Sequence, residues 1–223
     1  MLLLAFDTST PAVTVALHDG DKVLAEATEV GVNRQGELLM PAVRTVLAMA
    51  GAEPRDLTHV VSGTGPGPFT GLRVGLVTAR AFGDALGIPV HGACSLDALA
   101  LLHKDSAGPG GIVVLSDARR REVYGAFYAP DGVRTQGPMV LRPDTLNTQL
   151  PPEAVLVGAG AILYRDQFPD HVIRDDRPYP EASALAAIAA AQIAAGTAGP
   201  ADPLYLRRPD AVPPAPRKQV TPA

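Results

Sequence analysis

Twice along its 223 residues the chain runs through an apolar strand that closes on an aspartate and then through the same succession of elements. In the first copy Leu2 to Asp7 reads as a strand, Thr8-Ser9-Thr10-Pro11 as a turn, and the alternating Val13, Val15 and Leu17 as a second strand. Asp19-Gly20 is a two-residue hairpin signal leading to a third strand over Lys22 to Ala27. A helix is predicted over Glu37 to Ala50, with a later start if Pro41 is to sit in the first turn. His59 to Ser62 reads as a buried strand, Gly71 to Leu86 as a helix and Pro89 to Ala93 as a strand, after which Ser95 is expected to cap a helix through His103. Ala107-Gly108-Pro109-Gly110-Gly111 reads as a linker, and Ile112 to Ser116 is a strand closing on Asp117. Strands over Glu122 to Tyr128 and onward to Leu141 follow, joined by a turn at Asp131-Gly132. A helix over Asp144 to Leu150, a strand over Ala154 to Val157, a helix over Ile162 to Phe168, a short strand at Val172-Ile173 and an alanine-rich helix from Glu181 complete the copy.

The order βββαβαβα, read twice, predicts a duplicated α/β fold with a cleft between the halves, as in the actin, Hsp70 and sugar kinase superfamily, the second half being reduced. The division expected is 1–106, 107–210 and a proline-rich tail over 211–223. Glycine and proline are abundant but follow no period and sit in a chain that is 47% hydrophobic, which excludes collagen-like and disordered classes. A net charge of −4 gives no global attraction to nucleic acid or anionic membrane, so any RNA contact must come from a local patch or a partner. The one cysteine, Cys94, cannot form an intrachain disulfide, and none of His18, His59, His91, His103 and His171 stands at metal-ligand spacing from it. MLLLAF is cut by Asp7 with no basic region before it, and Ala182 to Ala195 is broken by Ser183 and Gln192, so neither a signal peptide nor a membrane span is expected. A soluble cytoplasmic protein is the expectation.

Four motifs carry candidate chemistry. Asp7, Thr8 and Ser9 could hold a magnesium-bound phosphate at a strand end, or Asp7 could satisfy the donors of its own turn. The loop Gly65-Pro66-Gly67-Pro68-Phe69-Thr70-Gly71 precedes a helix and could offer N–H groups to an anion, although it is neither a Walker A loop nor a dinucleotide fingerprint. The stripe Gly71, Gly75, Ala79 and Gly83 lets another backbone approach closely, either a partner's or that of the chain's own sheet. With Leu72, Leu76 and Phe82 beside it, and Leu39, Val43 and Val46 on the preceding helix, it makes a candidate interface. Finally, Asp117-Ala118-Arg119-Arg120-Arg121-Glu122 is an anion-binding or RNA-facing turn, or a solvated hairpin tip whose arginines pair with its acids. No catalytic or metal-ligating residue stands out.

The segments FDTST, GPGPFTGLRVGLVTARAFGDALGIPVHGACSLDALA, SDARRREVYGAFY and PLYLRRP, in this order, resemble the TsaB (YeaZ) family of bacterial tRNA threonylcarbamoyladenosine biosynthesis subunits. The resemblance is strong over residues 1–130 and looser beyond. It implies the duplicated actin-like fold and a non-catalytic role in attaching a threonylcarbamoyl group to adenosine 37 of tRNAs reading codons that begin with A. The implied partners are TsaD as the main one and TsaE in the assembled complex, with a homodimer when alone and tRNA met through the complex. In TsaD a His-x-x-x-His helix binds metal; the corresponding positions here are Ser95 and Leu99, so the resemblance implies that this copy has lost that site. No cofactor is then required, and at most weak binding of ATP or ADP with magnesium is expected at Asp7, Thr8, Ser9, Gly65, Gly67 and Asp117. Family members often carry a histidine before Leu38-Leu39-Met40-Pro41, where this chain has Arg34-Gln35-Gly36-Glu37. The competing reading is an independent actin-like ATPase or small-molecule kinase using Asp7 and Asp117. A glycoprotease lacks its zinc motif and a Ser-His pairing.

Overall fold

The structure, a computed structural model, describes residues 1–207, so the tail expected over 211–223 and the last residues assigned to the second half lie outside the described residues. The first sheet is built from β1 (Leu3–Asp7), β2 (Ala12–His18), β3 (Val23–Val30), β4 (His59–Gly63) and β5 (Val90–Ala93) in the order β3-β2-β1-β4-β5. The second contains β6 (Ile112–Asp117), β7 (Val123–Tyr128), β8 (Arg134–Leu141), β9 (Val155–Val157) and β10 (Val172–Arg174) in the order β10-β9-β6-β7-β8. The two sheets are copies of one topology, with β1 and β6 central, antiparallel to the next strand and parallel to β4 or β9. Every residue of β1 is buried, which explains why its sequence is a continuous apolar run with no alternation.

Among the described residues six α-helices cover the sheets: α1 (Gln35–Met49), α2 (Phe69–Leu86), α3 (Ser95–Leu102), α4 (Pro143–Asn147), α5 (Ala159–Leu163) and α6 (Ala182–Ala194). The alternate residues Leu4 and Phe6 of β1 pack with Leu39, Val43 and Val46 of α1 and Ala79 of α2. Leu3 and Ala5 point the other way, onto Leu185, Ala186 and Ala189 of α6. The helices are therefore exchanged: α6, from the end of the second copy, lies on the first sheet, while Leu96 and Leu99 of α3 pack on Ile112, Val114 and Ala126 of the second. The expected linker is docked, since a Cβ at Gly108 or Gly110 would stand 2.2 or 2.1 Å from the carbonyl oxygens of Glu153 or Pro152.

Several expectations change. Helix α1 begins at Gln35, so Pro41 is interior to it; it sits on the exposed face, where water can satisfy the carbonyl that the missing N–H leaves free. Ser95 does not cap α3, whose N-cap position is Cys94, because its hydroxyl is engaged elsewhere. The residues expected at an interface from the glycine stripe pack inward. Leu39, Val43, Val46, Leu72, Gly75, Leu76, Ala79 and Gly83 are buried in the chain's own core and Phe82 is half-buried against it. The stripe exists because α2 runs tight on its own sheet: a Cβ at Gly83 would lie 2.3 Å from Val90 Cγ2, and one at Gly75 2.7 Å from Thr8 Oγ1.

This placement makes Ala79→Glu a test of the fold. Ala79 is wholly buried, and an unpaired carboxylate there costs several kcal/mol against a total stability of about 5–15 kcal/mol. Loss of the cooperative thermal transition is expected by circular dichroism; a soluble variant melting near the wild-type temperature would show that α2 does not pack as described.

Candidate functional site

The turn after β1 is where the candidate residues meet. Asp7 is buried, and its Oδ1 accepts from the Ser9 N–H at 2.7 Å and the Ser9 hydroxyl at 2.6 Å. Its Oδ2 accepts from Ser95 Oγ at 2.5 Å, and Ser95 Oγ in turn accepts from the Gly65 N–H at 3.1 Å. Thr8 Oγ1 donates to Gly71 O at 2.7 Å and accepts from Gly75 N at 3.0 Å, placing a hydroxyl between the carbonyl and N–H that a helix ordinarily joins to each other. Gly67 packs so closely on the turn that a Cβ would lie 2.3 Å from Ser9 O.

The structure thus brings Asp7, Thr8, Ser9, Gly65 and Gly67 together, but against one another. Gly67 of the loop packs directly on this turn, and Asp7 is hydrogen-bonded to Ser9 and Ser95. Asp117, whose Oδ1 accepts from the Arg119 N–H at 2.8 Å, lines a 220 Å³ cleft together with Ser9, Thr10, Pro68 and Tyr179. The metal-helix positions are equally committed, Ser95 to Asp7 and Leu99 to the second core. His103 Nε2 lies 3.0 Å from Arg177 O, and His91 stacks on His59 with ring centres 5.5 Å apart. Among the described residues no group of three or more histidines, cysteines or acids is placed to hold a metal ion.

Sequence reasoning assigned no role to Tyr205 and Arg207, although both lie in a segment that carried the family resemblance. Tyr205 stacks on Phe69 with ring centres 4.2 Å apart, Arg73 lies 4.1 Å over the other ring, and Arg73 Nε donates to Tyr205 Oη at 3.0 Å. Arg207 pairs with Glu122 and donates to Ala118 O at 2.8 Å. The strap over residues 204–207 therefore ties the start of α2 to the β6–β7 turn across the two halves. That turn is strained: Arg119, Arg120 and Arg121 have φ of 60°, 53° and 59°. A left-handed conformation costs about 1–2 kcal/mol per such residue, and the turn is closed by Ala118 N to Glu122 O at 3.0 Å and Glu122 N to Arg119 O at 2.9 Å.

Burial raises the Asp7 pKa above the ordinary carboxylate value, with the hydrogen bonds from Ser9 and Ser95 opposing it. Between the unfolded value near 4 and the raised folded value, the native chain holds a proton that the unfolded chain has lost, so the stability Asp7 contributes is full below the unfolded pKa and falls as pH rises through the folded one. Relative to wild type, Asp7→Asn should therefore gain unfolding free energy from about pH 4 to about pH 7 in urea titrations. A difference that is flat or falls over that range would contradict the raised pKa. Ser95→Ala, which strips Oδ2 of its partner, should cost about 1–3 kcal/mol.

Comparison with known proteins agrees with this architecture. The family model described as TsaD, tRNA N6-adenosine threonylcarbamoyltransferase, matches residues 29–171. An uncharacterised protein of Mycobacterium tuberculosis is 44% identical over 214 residues, covering 95% of this chain and 94% of the relative. The tRNA threonylcarbamoyladenosine biosynthesis protein TsaB of Escherichia coli is 31% identical over 222 residues, covering 93% of this chain and 95% of its own length. A crystal structure of a Pseudomonas aeruginosa protein similar to peptidase YeaZ superposes with a TM-score of 0.81 at 30% identity, over 92% of this chain and 99% of that one. At the level of fold alone, component A of the Acidaminococcus fermentans (R)-2-hydroxyglutaryl-CoA dehydratase superposes with a TM-score of 0.52 at 10% identity, over 87% of this chain and 99% of that one. With the duplicated sheets, the Gly65–Gly71 loop packed on Asp7 to Ser9 and these relatives in view, the chain belongs to the TsaB (YeaZ) family.

Proposed function

We propose that the chain acts in tRNA threonylcarbamoyladenosine biosynthesis as a non-catalytic subunit that binds and activates TsaD for transfer of the threonylcarbamoyl group to adenosine 37 of tRNAs reading codons that begin with A. The observation that carries this reading is the internal commitment of the residues that could have done chemistry. Asp7 is closed off by Ser9 and Ser95, and the glycine loop is packed on the turn it would otherwise share with a phosphate. On this reading no cofactor is required, and ATP or ADP with magnesium binds weakly at most. The ATPase or kinase alternative needs Asp7 open to metal-bound water, and its burial argues against that.

The surface for TsaD, and for a second copy when the chain is alone, is the outward face of α1 and α2 rather than their buried stripe. Val77 is 63% and Met49 64% exposed, and Met40, Ala81 and Ala85 are exposed with them. Apolar side chains on the solvent face of paired helices mark a contact surface. TsaE joins the assembled complex, and tRNA is met there.

Light scattering of the chain mixed with purified TsaD tests the reading. Wild type should form a stable complex and, alone, produce no threonylcarbamoyladenosine. Val77→Glu should lose the complex while its melting temperature changes little, because the side chain already faces solvent. Threonylcarbamoyl transfer or steady-state ATP hydrolysis by the chain alone would restore the enzyme alternative, and a complex unaffected by Val77→Glu would move the interface elsewhere.

A further inference from the structure

Around the β6–β7 turn an otherwise acidic protein gathers arginine. Arg119 lines the interhalf cleft beside Asp117, and Arg119 and Arg120 also line a 320 Å³ cavity with Tyr205 and Arg207. On the other side of the turn, Arg121 and Arg142 share a 340 Å³ cavity with Tyr164, Gln167 and Asp144. Two of the three local acids are in ion pairs. Asp117 pairs with Arg119 at 3.6 Å, Glu122 pairs with Arg207, and Asp144 Oδ1 accepts from the Thr145 N–H at 2.6 Å. Arg121 and Arg142 make no ion pair among the described residues and are exposed. Three successive left-handed residues fan the arginine side chains around the turn, so they serve cavities on both of its sides.

We propose that this turn is a direct RNA-binding surface, in which Arg121 and Arg142 contact backbone phosphates and the half-exposed ring of Tyr205 stacks on an unpaired base. The arginines are distributed over three cavities around the turn, Arg119 and Arg120 on one side and Arg121 with Arg142 on the other, which suits an extended polyanion better than a small phosphorylated metabolite. Arginine forks match phosphate oxygens, and an aromatic ring beside such a stripe is the usual platform for an unstacked base. Tyr205 is 41% exposed although one face is covered by Phe69, and it lines the cavity that Arg119 and Arg120 share. With a net charge of −4 the rest of the molecule repels RNA, so this stripe would also orient it. The inference rests on the proposed role in tRNA modification only for the choice of RNA.

The test is fluorescence anisotropy of a labelled tRNA transcript with the full chain over a salt series. Arg121→Glu/Arg142→Glu should weaken binding about tenfold or more at low salt and reduce the slope of log affinity against log salt by about 2. Tyr205→Leu should weaken binding with the slope unchanged. Arg34→Glu/Arg55→Glu, an equal charge reversal at two exposed arginines paired with Glu37 and Glu53, should have little effect. Thermal melts establish folding, and light scattering with TsaD is run on the same preparations, so loss of the partner complex is read separately from loss of RNA. Absence of tRNA binding by wild type at low salt, equal weakening by both double variants, or loss of the partner complex with tRNA binding intact would overturn the proposal; the last would assign the arginines to an acidic protein surface.

Discussion

The hydroxyl of Thr8 is the interaction on which the first half depends. By standing between Gly71 O and Gly75 N it joins the turn after the central strand to the helix above it, and it can do so only because neither helix position carries a side chain. Asp7 and Ser95 make the matching connection below, linking β1 to the start of α3 and to the Gly65 N–H. In an actin-like fold this is the place where an open turn can meet phosphate. Here the same polar groups are hydrogen-bonded within the protein, across long separations in sequence.

Those separations explain why the topology is legible in the sequence and the partners of Asp7 and Thr8 are not. The βββαβαβα order followed from apolar runs, hairpin signals and glycine punctuation, which are local, and both sheets have it. The same glycines misled where long-range packing decides. A stripe such as Gly71, Gly75, Ala79 and Gly83 reports that something approaches closely, but its spacing is identical whether the neighbour is a partner helix or the chain's own Thr8 and Val90. Ser95 looked like a cap because it stands first in an apolar helix; its partner, Asp7, is 88 residues away and invisible to any window. At Pro41 the opposite holds, a local rule being overridden by tertiary burial of Leu39, Ala42 and Val43 around it.

The strap through Leu204, Tyr205 and Arg207 shows the second limit. Its sequence offers no period or motif chemistry, yet the Leu204 N–H donates to Thr64 O at 2.9 Å, Tyr205 covers Phe69 and Arg207 braces the β6–β7 turn. The segment thus connects the glycine loop of one half to the arginine turn of the other. On the outer surfaces, apolar side chains of α1 and α2 and the guanidinium groups of the β6–β7 turn face solvent.

The exchange of α3 and α6 between the sheets has a bearing on biogenesis. One face of β1 and β2 stays bare until residues 182–194 leave the ribosome, since α6 is the element that covers it. The nascent chain therefore exposes two apolar strands through most of its translation, a window in which aggregation competes with closure. A break between the copies would leave each fragment with the other's helix, so the duplicated halves, though built alike, are not separable folding units.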